Sequence, residues 1–280
     1  QPNDGELLSL IQKGNLRLGY TFPFPVAMKV FPESIRADAF AETLDTVTPK
    51  ILPQELIRVP FNYKDPIDEA TQKVILAAMS EGIDAALQDN YLRYCSYYMP
   101  RTGTVLVCPE NRDLAAKMLD LLIADKVMKR ESNIAKMAQV VKGMMLFQSG
   151  NKKDGIALVF KTGSPFETAS DSYLRQVRTW AFKELLTDNP VAFWKILQGD
   201  AEKTELSVAE FDKRISLVSR LRATDVVASL YAEAAEKYPN EAKFTSFSSR
   251  SSARPKNVFQ DNIQKQMLTW HIIFKTNMKM

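Results

Sequence analysis

Apolar positions recur at intervals of three and four through most of the chain from residue 65 onward. Val74, Ala77, Ala78, Ile83 and Leu87 form one stripe, Leu114, Met118, Leu121, Leu122 and Val127 a second, and Ile134, Met137, Val140, Val141 and Met144 a third. Further on, Leu174, Val177, Ala181 and Leu185 repeat the pattern, as do Phe211, Ile215, Val218 and Leu221. This is the period of helices that bury one face. Local signals mark their ends. Asp65-Pro66 predicts a start, with Asp capping and Pro in the first turn, for a helix that kinks at Gly82, reaches Tyr98 and stops before Pro100. One helix is expected from Asn111 or Pro109 to about Lys129 and another over Asn133–Gln148. Ser164-Pro165-Phe166-Glu167 and Ser207-Val208-Ala209-Glu210 both have the form of a capping box. Asn189-Pro190 opens a short helix that Gly199 ends, and a last body helix spans Thr224–Lys237.

The first 160 residues carry a second pattern. Leu16–Phe22 alternates in strand fashion until Pro23 and Pro25, Val26–Phe31 resumes it, and Pro32 opens a helix that reaches Thr46. Glu55–Val59 between Pro53 and Pro60, Thr104–Cys108, and Ile156–Phe160 after the polar run Gly150–Gly155 also read as short strands. The fold class predicted is mainly α: a helical globular body with a few short strands in the N-terminal half and extended terminal arms. Residues 1–64 are expected to form an arm or small subdomain, 65–240 the helical body, and 241–280 a basic Ser/Arg-containing arm with a C-terminal docking segment.

Composition changes this picture little. With 280 residues, 45% hydrophobic and 25% charged, the chain is an ordinary globule able to bury a core without staples. Cys95 and Cys108 do not make a disulfide framework and suit a reducing compartment such as cytoplasm. No apolar run approaches the ~18 residues that span a bilayer. Gln1-Pro2-Asn3-Asp4 has neither the basic nor the apolar region of a secretory leader.

Charge is more informative. The net value is +4, but residues 241–280 hold seven cations, from Lys243 to Lys279, against Glu241 and Asp261. A neutral body with a basic tail points to an acidic partner. Phe244–Lys256 is rich in Ser and Arg and reads as a linker, after which Ile263, Met267, Trp270, Ile273 and Phe274 return as a docking set.

Catalytic signatures are absent. There is no phosphate-binding loop, dinucleotide fingerprint, nucleophile elbow or paired-cysteine motif. The single histidine, His271, lies between Trp270 and Ile272 and is expected to be structural. With one His and two separated Cys, no metal or other cofactor is expected. The most unusual cluster is Tyr91–Arg101, with four tyrosines and two arginines in eleven residues. In an α-helix Tyr91, Tyr94 and Tyr98 share a face, either packed on the core or open for stacking on unpaired bases. The basic series Lys117, Lys126, Lys129, Arg130, Lys136, Lys142, Lys152 and Lys153 is interleaved with acids, as on a solvated face.

These features favour a non-enzymatic assembly protein that binds single-stranded nucleic acid, chiefly RNA, without sequence preference, as a viral nucleoprotein or coat protein does. The residues expected to carry it are Arg93, Tyr94, Tyr98, Arg101, Arg175 and Arg178 in the body and Arg250 and Arg254 in the arm, with self-association through the terminal arms. The alternatives are a helical enzyme acting on a phosphate-bearing substrate without a linear motif, and a protein–protein adaptor.

Overall fold

The computed structural model describes Glu6 and residues 33–45, 47–100, 107–167, 171–198 and 206–250. Every regular element among them is helical, and no strand occurs. The chain divides into two compact units. The first runs to Gly163 and takes back Ala169–Val177; the second holds Ser164–Thr168 and the chain from Arg178 on.

The first unit begins with α1 (Glu33–Leu44), a 3₁₀ turn (Pro49–Ile51), α2 (Leu52–Leu56) and α3 (Val59–Asn62). Pro49, Pro53 and Pro60 each sit in the first turn of one of the three short elements that follow α1. That explains why Glu55–Val59 is helical rather than the predicted strand. A proline in a helix's first turn lacks only an N–H that has no intrahelical partner there. α4 (Glu69–Gln88) starts three residues later than Asp65-Pro66 suggests. Asp68 is its cap, and Oδ1 of Asp68 accepts the Thr71 N–H at 2.8 Å. Helix α4 runs without a break through Gly82. That glycine lets the preceding turn approach, since a Cβ there would lie 2.8 Å from the Pro49 carbonyl oxygen and 2.9 Å from Leu52 Cβ. Asn90, at φ 54°, closes α4 in the left-handed region, and the chain continues as a 3₁₀ helix (Leu92–Tyr97).

A further 3₁₀ turn (Pro109–Asn111) leads into α5 (Arg112–Ile123), α6 (Asp125–Arg130), α7 (Ser132–Gln148) and α8 (Lys152–Phe160). The single helix expected over 111–129 is therefore two, broken where Ala124 turns extended at ψ 149°. Ile156–Phe160, expected as a strand, lies in α8. Asn151 caps that helix by accepting the Asp154 N–H at 3.4 Å, and Gly155 allows it to fold back tightly on α7. An apolar run alone does not distinguish a buried helix from a strand, and here the cap decides. Val107 and Cys108 form no strand; Thr104–Leu106 and the strands expected between Leu16 and Phe31 lie outside the described residues. The core gathers Ile75 and Met79 of α4, Leu114, Met118 and Leu122 of α5, and Ala138, Val140 and Val141 of α7, all at zero exposure.

α9 (Ser172–Asp188) gives its first turns to this unit and its remainder to the second. The second unit continues through α10 (Pro190–Gln198), α11 (Val208–Arg220), α12 (Thr224–Lys237) and α13 (Ala242–Arg250). The Ser207 box forms as expected: its hydroxyl accepts the Glu210 N–H, and the Glu210 carboxylate accepts the Ser207 N–H at 2.8 Å. The Ser164 box does not. Ser164 Oγ accepts only the Phe166 N–H, and α9 starts later, where Asp171 caps it by accepting the Tyr173 N–H at 2.7 Å. The core of this unit is aromatic. Phe182 stacks on Phe193 at 4.2 Å and meets Phe166 edge-on at 5.4 Å. Phe211 packs against Phe244 at 6.1 Å. Phe244 is fully buried within α13, so the linker expected to begin there does not.

Candidate nucleic-acid interface

Tyr91, Tyr94 and Tyr97 form a row on the first unit. In a 3₁₀ helix residues three apart eclipse one another, so a tyrosine at every third position gives a ladder. Tyr91 and Tyr94 have centroids 4.7 Å apart, and Tyr94 and Tyr97 stack at 6.3 Å with 29° between planes. The ladder is anchored from beneath. Leu92 and Cys95, on the opposite side of the same helix, are buried at 0% and 1% exposure. Burial pushes the Cys95 thiol far above its ordinary range. Tyr97 at the outer end is 71% exposed.

The α-helical face expected from Tyr91, Tyr94 and Tyr98 is thus replaced. Tyr98 leaves the row and meets the Arg58 guanidinium, 5.3 Å from its ring centroid. Its own exposure is 36%.

Lys50 and Arg93 lie over rings of the ladder, while Arg58 lies over Tyr98 and Arg130 at the end of α4 that precedes it. Lys50, from the 3₁₀ turn before α2, lies 5.7 Å over the Tyr91 ring and pairs with Asp89 at 2.8 Å. Arg58, between α2 and α3, pairs with Glu55. Arg93 lies 5.1 Å over the Tyr94 ring and donates to the Tyr94 hydroxyl at 3.3 Å. That hydrogen bond, then Tyr94's charge interaction and weaker ones with Glu131 and Tyr97, holds Arg93 above the usual arginine range. Arg130, at the end of α6, donates to the Leu87 carbonyl at 3.5 Å, at the α4 end from which the ladder springs. Among the described residues Arg93 and Arg130 make no ion pair, although Glu131 acts on Arg93 at longer range.

The other expected site residues are spread out. Arg175, in the part of α9 belonging to the first unit, is exposed. Arg178 is 3% exposed in the second unit, with Glu167 at 4.0 Å, and burial lowers its pKa against the pull of Glu167. Arg101 and Arg254 lie outside the described residues, as do His271 and the segment 257–280. Arg250 ends α13, with its side chain also outside. Of the basic series, Lys117, Lys126 and Lys142 pair with Asp113, Asp84 and Asp120, each at 2.6 Å.

The sequence reading missed Tyr97 as a site residue, and Lys50 and Arg58 entirely. The every-third spacing of Tyr91, Tyr94 and Tyr97 was the signal for the first; the two cations arrive through tertiary packing and leave no local signal. Arg214 is buried. It donates to the Leu197 carbonyl at 2.6 Å and lies 4.7 Å from the Phe166 ring centroid, and burial lowers its pKa despite Glu210 and Glu233.

Among the described residues no group of three or more His, Cys, Asp or Glu gathers to hold a metal, and no helix is long and apolar enough to cross a membrane. No known protein family, curated protein or solved structure matches this chain.

Proposed function

We propose that this chain is a non-enzymatic, sequence-independent binder of single-stranded nucleic acid that assembles with copies of itself, as a viral nucleoprotein or coat protein does. One observation supports the reading: a tyrosine ladder on the first unit, half-buried at Tyr91 and Tyr94 and exposed at Tyr97, with Arg93 and Arg130 outside any ion pair. Aromatic faces stack on any base, and guanidinium groups attract any phosphate, so neither contact needs a defined sequence. The exposed Arg175 adds to the cationic surface. Arg101, Arg250 and Arg254 extend its reach, the last two from the basic C-terminal stretch. Self-association through the terminal arms, with Trp270, Ile273 and Phe274 seated on a neighbouring copy, belongs to the same proposal.

The test is a titration of the purified full chain with a labelled single strand of about thirty nucleotides over a range of salt. Affinity is expected to fall with a log–log slope of about −0.7 per phosphate contacted. Replacing Arg250 and Arg254 together by alanine flattens that slope and weakens binding equally for all sequences. Light scattering on the same material reports particles larger than one chain. Folded protein that binds no strand at micromolar concentration refutes the proposal.

A further inference from the structure

Resting on the self-association proposed above, we infer that an apolar strip on the second unit receives residues 259–274 of a neighbouring copy. The strip consists of Ala228, Tyr231 and Ala235 of α12 with Phe247 of α13.

Among the described elements α12 packs chiefly on α11 and α13, and Val226, Leu230 and Ala234 are buried on its inner side. A helix with only water beyond it carries charged and polar residues on its outer side. At helical spacing the outer side of α12 holds Ala228, Tyr231, Ala232 and Ala235 instead, all half-buried. No residue from Val226 to Ala235 is fully exposed, and the one charged residue among them, Glu233, pairs with Lys237 at 3.5 Å. The next helix widens the strip. Phe247 stacks on Tyr231 with centroids 3.9 Å apart and 20° between planes, yet it stays 36% exposed.

Three features of the chain select the occupant. Phe259, Ile263, Met267, Trp270 and Phe274 recur at intervals of four, four, three and four, the period with which an apolar face meets another helix. Charge agrees as well. Residues 257–280 carry Lys265, Lys275 and Lys279 against Asp261, while the exposed Asp225 and Glu236 flank the strip and make no ion pair among the described residues. Segment and seat therefore attract. The third feature is the link. Six residues, 251–256, join α13 to Asn257 and span at most about 21 Å. So short a link, with Pro255 disfavouring a helical turn at Arg254, favours crossing to a neighbour over reversing onto the same α12. Seat and segment are different surfaces, so the contact is head-to-tail and repeats from copy to copy.

The experiment uses the full chain, with light scattering over a range of protein concentration. Ala228→Lys with Ala235→Lys places two charges on the strip and should weaken self-association by about thirtyfold or more. Asp225→Lys with Glu236→Lys should weaken it less, and adding Lys265→Glu with Lys275→Glu to that chain should restore it. Residues needed only for folding would show no such reversal. Occupancy is read with a bifunctional maleimide on a Cys108→Ser chain carrying Ala232→Cys and Thr269→Cys, in which the buried Cys95 does not compete. Products of two or more chains are expected. Circular dichroism confirms that each variant is folded.

If the two strip lysines leave association unchanged, the seat is wrong, and strand binding by the same variant shows that the nucleic-acid reading stands. Crosslinks confined to one chain, or none, also overturn the seat, as does a charge exchange that restores nothing. A parent that stays a single chain at every concentration overturns the seat together with the proposed self-association.

Discussion

The side-chain oxygen of Asn111 accepts the backbone N–H of Ile67 at 3.0 Å, across 44 residues of chain, at a site with no exposure. The amide nitrogen of the same residue donates to the Asp65 carbonyl at 2.9 Å and lies 3.4 Å from that of Tyr63. One buried amide thus satisfies the loop that leads into α4, where no secondary structure does so. Asn111→Ala leaves a buried donor and at least one acceptor without partners, at about 1–3 kcal/mol each. Urea denaturation should show a loss of at least about 2 kcal/mol. Asn111→Leu, which fills the volume without the polar groups, should do no better. A change under about half a kcal/mol in both would mean that the loop is held by other contacts.

Asp68, at the end of that loop, makes stability depend on pH. Burial alone would raise its pKa, but the Thr71 N–H and hydroxyl, each at 2.8 Å, and Arg36 at 3.3 Å hold it below the usual carboxylate range. A carboxyl depressed in the fold stabilises while ionised, and that contribution is lost as pH falls through the folded pKa. Asp68→Asn keeps a capping oxygen and loses the charge. Its deficit against the parent is expected to be full at neutral pH and to shrink once pH drops below about 4. Melting of both proteins across that range checks it; a deficit that does not change with pH would assign the effect to hydrogen-bond geometry instead.

The crossing of α7 and α8 should reverse an ordinary rule. Alanine in place of a helical glycine usually gains up to about 1 kcal/mol. Here a Cβ on Gly143 would stand 2.7 Å from the Gly155 carbonyl oxygen, and one on Gly155 would stand 2.5 Å from that of Gly143. Backbone atoms cannot rotate aside, so the helices must separate. Gly143→Ala and Gly155→Ala should each cost about 1–3 kcal/mol, with a combined loss smaller than the sum, because one displacement relieves both clashes. A stabilised single variant would disprove the close crossing.

What could be read beforehand follows the range of the interaction. The Ser207 box and the Asn189-Pro190 start are contained in four or five residues, and both form, with Asn189 Oδ1 accepting the Ala192 N–H at 3.0 Å. Ser164-Pro165-Phe166-Glu167 has the same letters and fails, because Asp171 supplies a cap at the true helix start. Tyr91, Tyr94 and Tyr98 share a face only if the helix is α. The left-handed Asn90 ends α4, and the 3₁₀ spacing that follows exchanges Tyr98 for Tyr97. The helical class was legible from the apolar period. The strands at Glu55–Val59 and Ile156–Phe160 were misread because β-branched runs pack equally well on a neighbouring helix once a proline or Asn151 starts the turn. The cations over Tyr91 and Tyr98, Lys50 and Arg58, come from the far side of α4 in sequence and could be placed only by the fold.

The cysteines should separate cleanly by reactivity. Cys95 is buried beneath the tyrosine ladder, and its thiol is held protonated. Cys108 is accessible, and its thiol donates to the Glu110 carboxylate at 2.6 Å, which keeps its pKa above the ordinary thiol range. Ellman titration of the native chain should modify one thiol, slowly at neutral pH and faster as pH rises, since the thiolate is the nucleophile. Glu110→Gln should speed that reaction, and the second thiol should appear only in denaturant. Prompt reaction of both in the native state would mean that the 3₁₀ helix carrying the ladder opens readily.

Arg175, Arg178 and Arg214 provide the sharpest separation of surface from core. Arg214 donates through Nε to the Leu197 carbonyl and lies against Phe166, joining α10 and α11 inside the second unit. Arg178 is buried near Glu167. Removing the Arg214 guanidinium strands the buried Leu197 carbonyl, a loss of about 1–3 kcal/mol. Arg214→Met keeps the aliphatic volume and drops the charge, so its melting shift isolates the polar contribution. Arg175→Met, at an exposed position on α9, should cost no more than a surface contact, under about 1 kcal/mol. Binding is then compared at a temperature where every variant is folded. If nucleic acid is held at the surface, Arg175→Met weakens it and reduces the salt slope, whereas Arg214→Met leaves the slope as it was. The reverse pattern, with a stable Arg214→Met that no longer binds, would place the interface on the second unit and remove the tyrosine ladder from the centre of the mechanism.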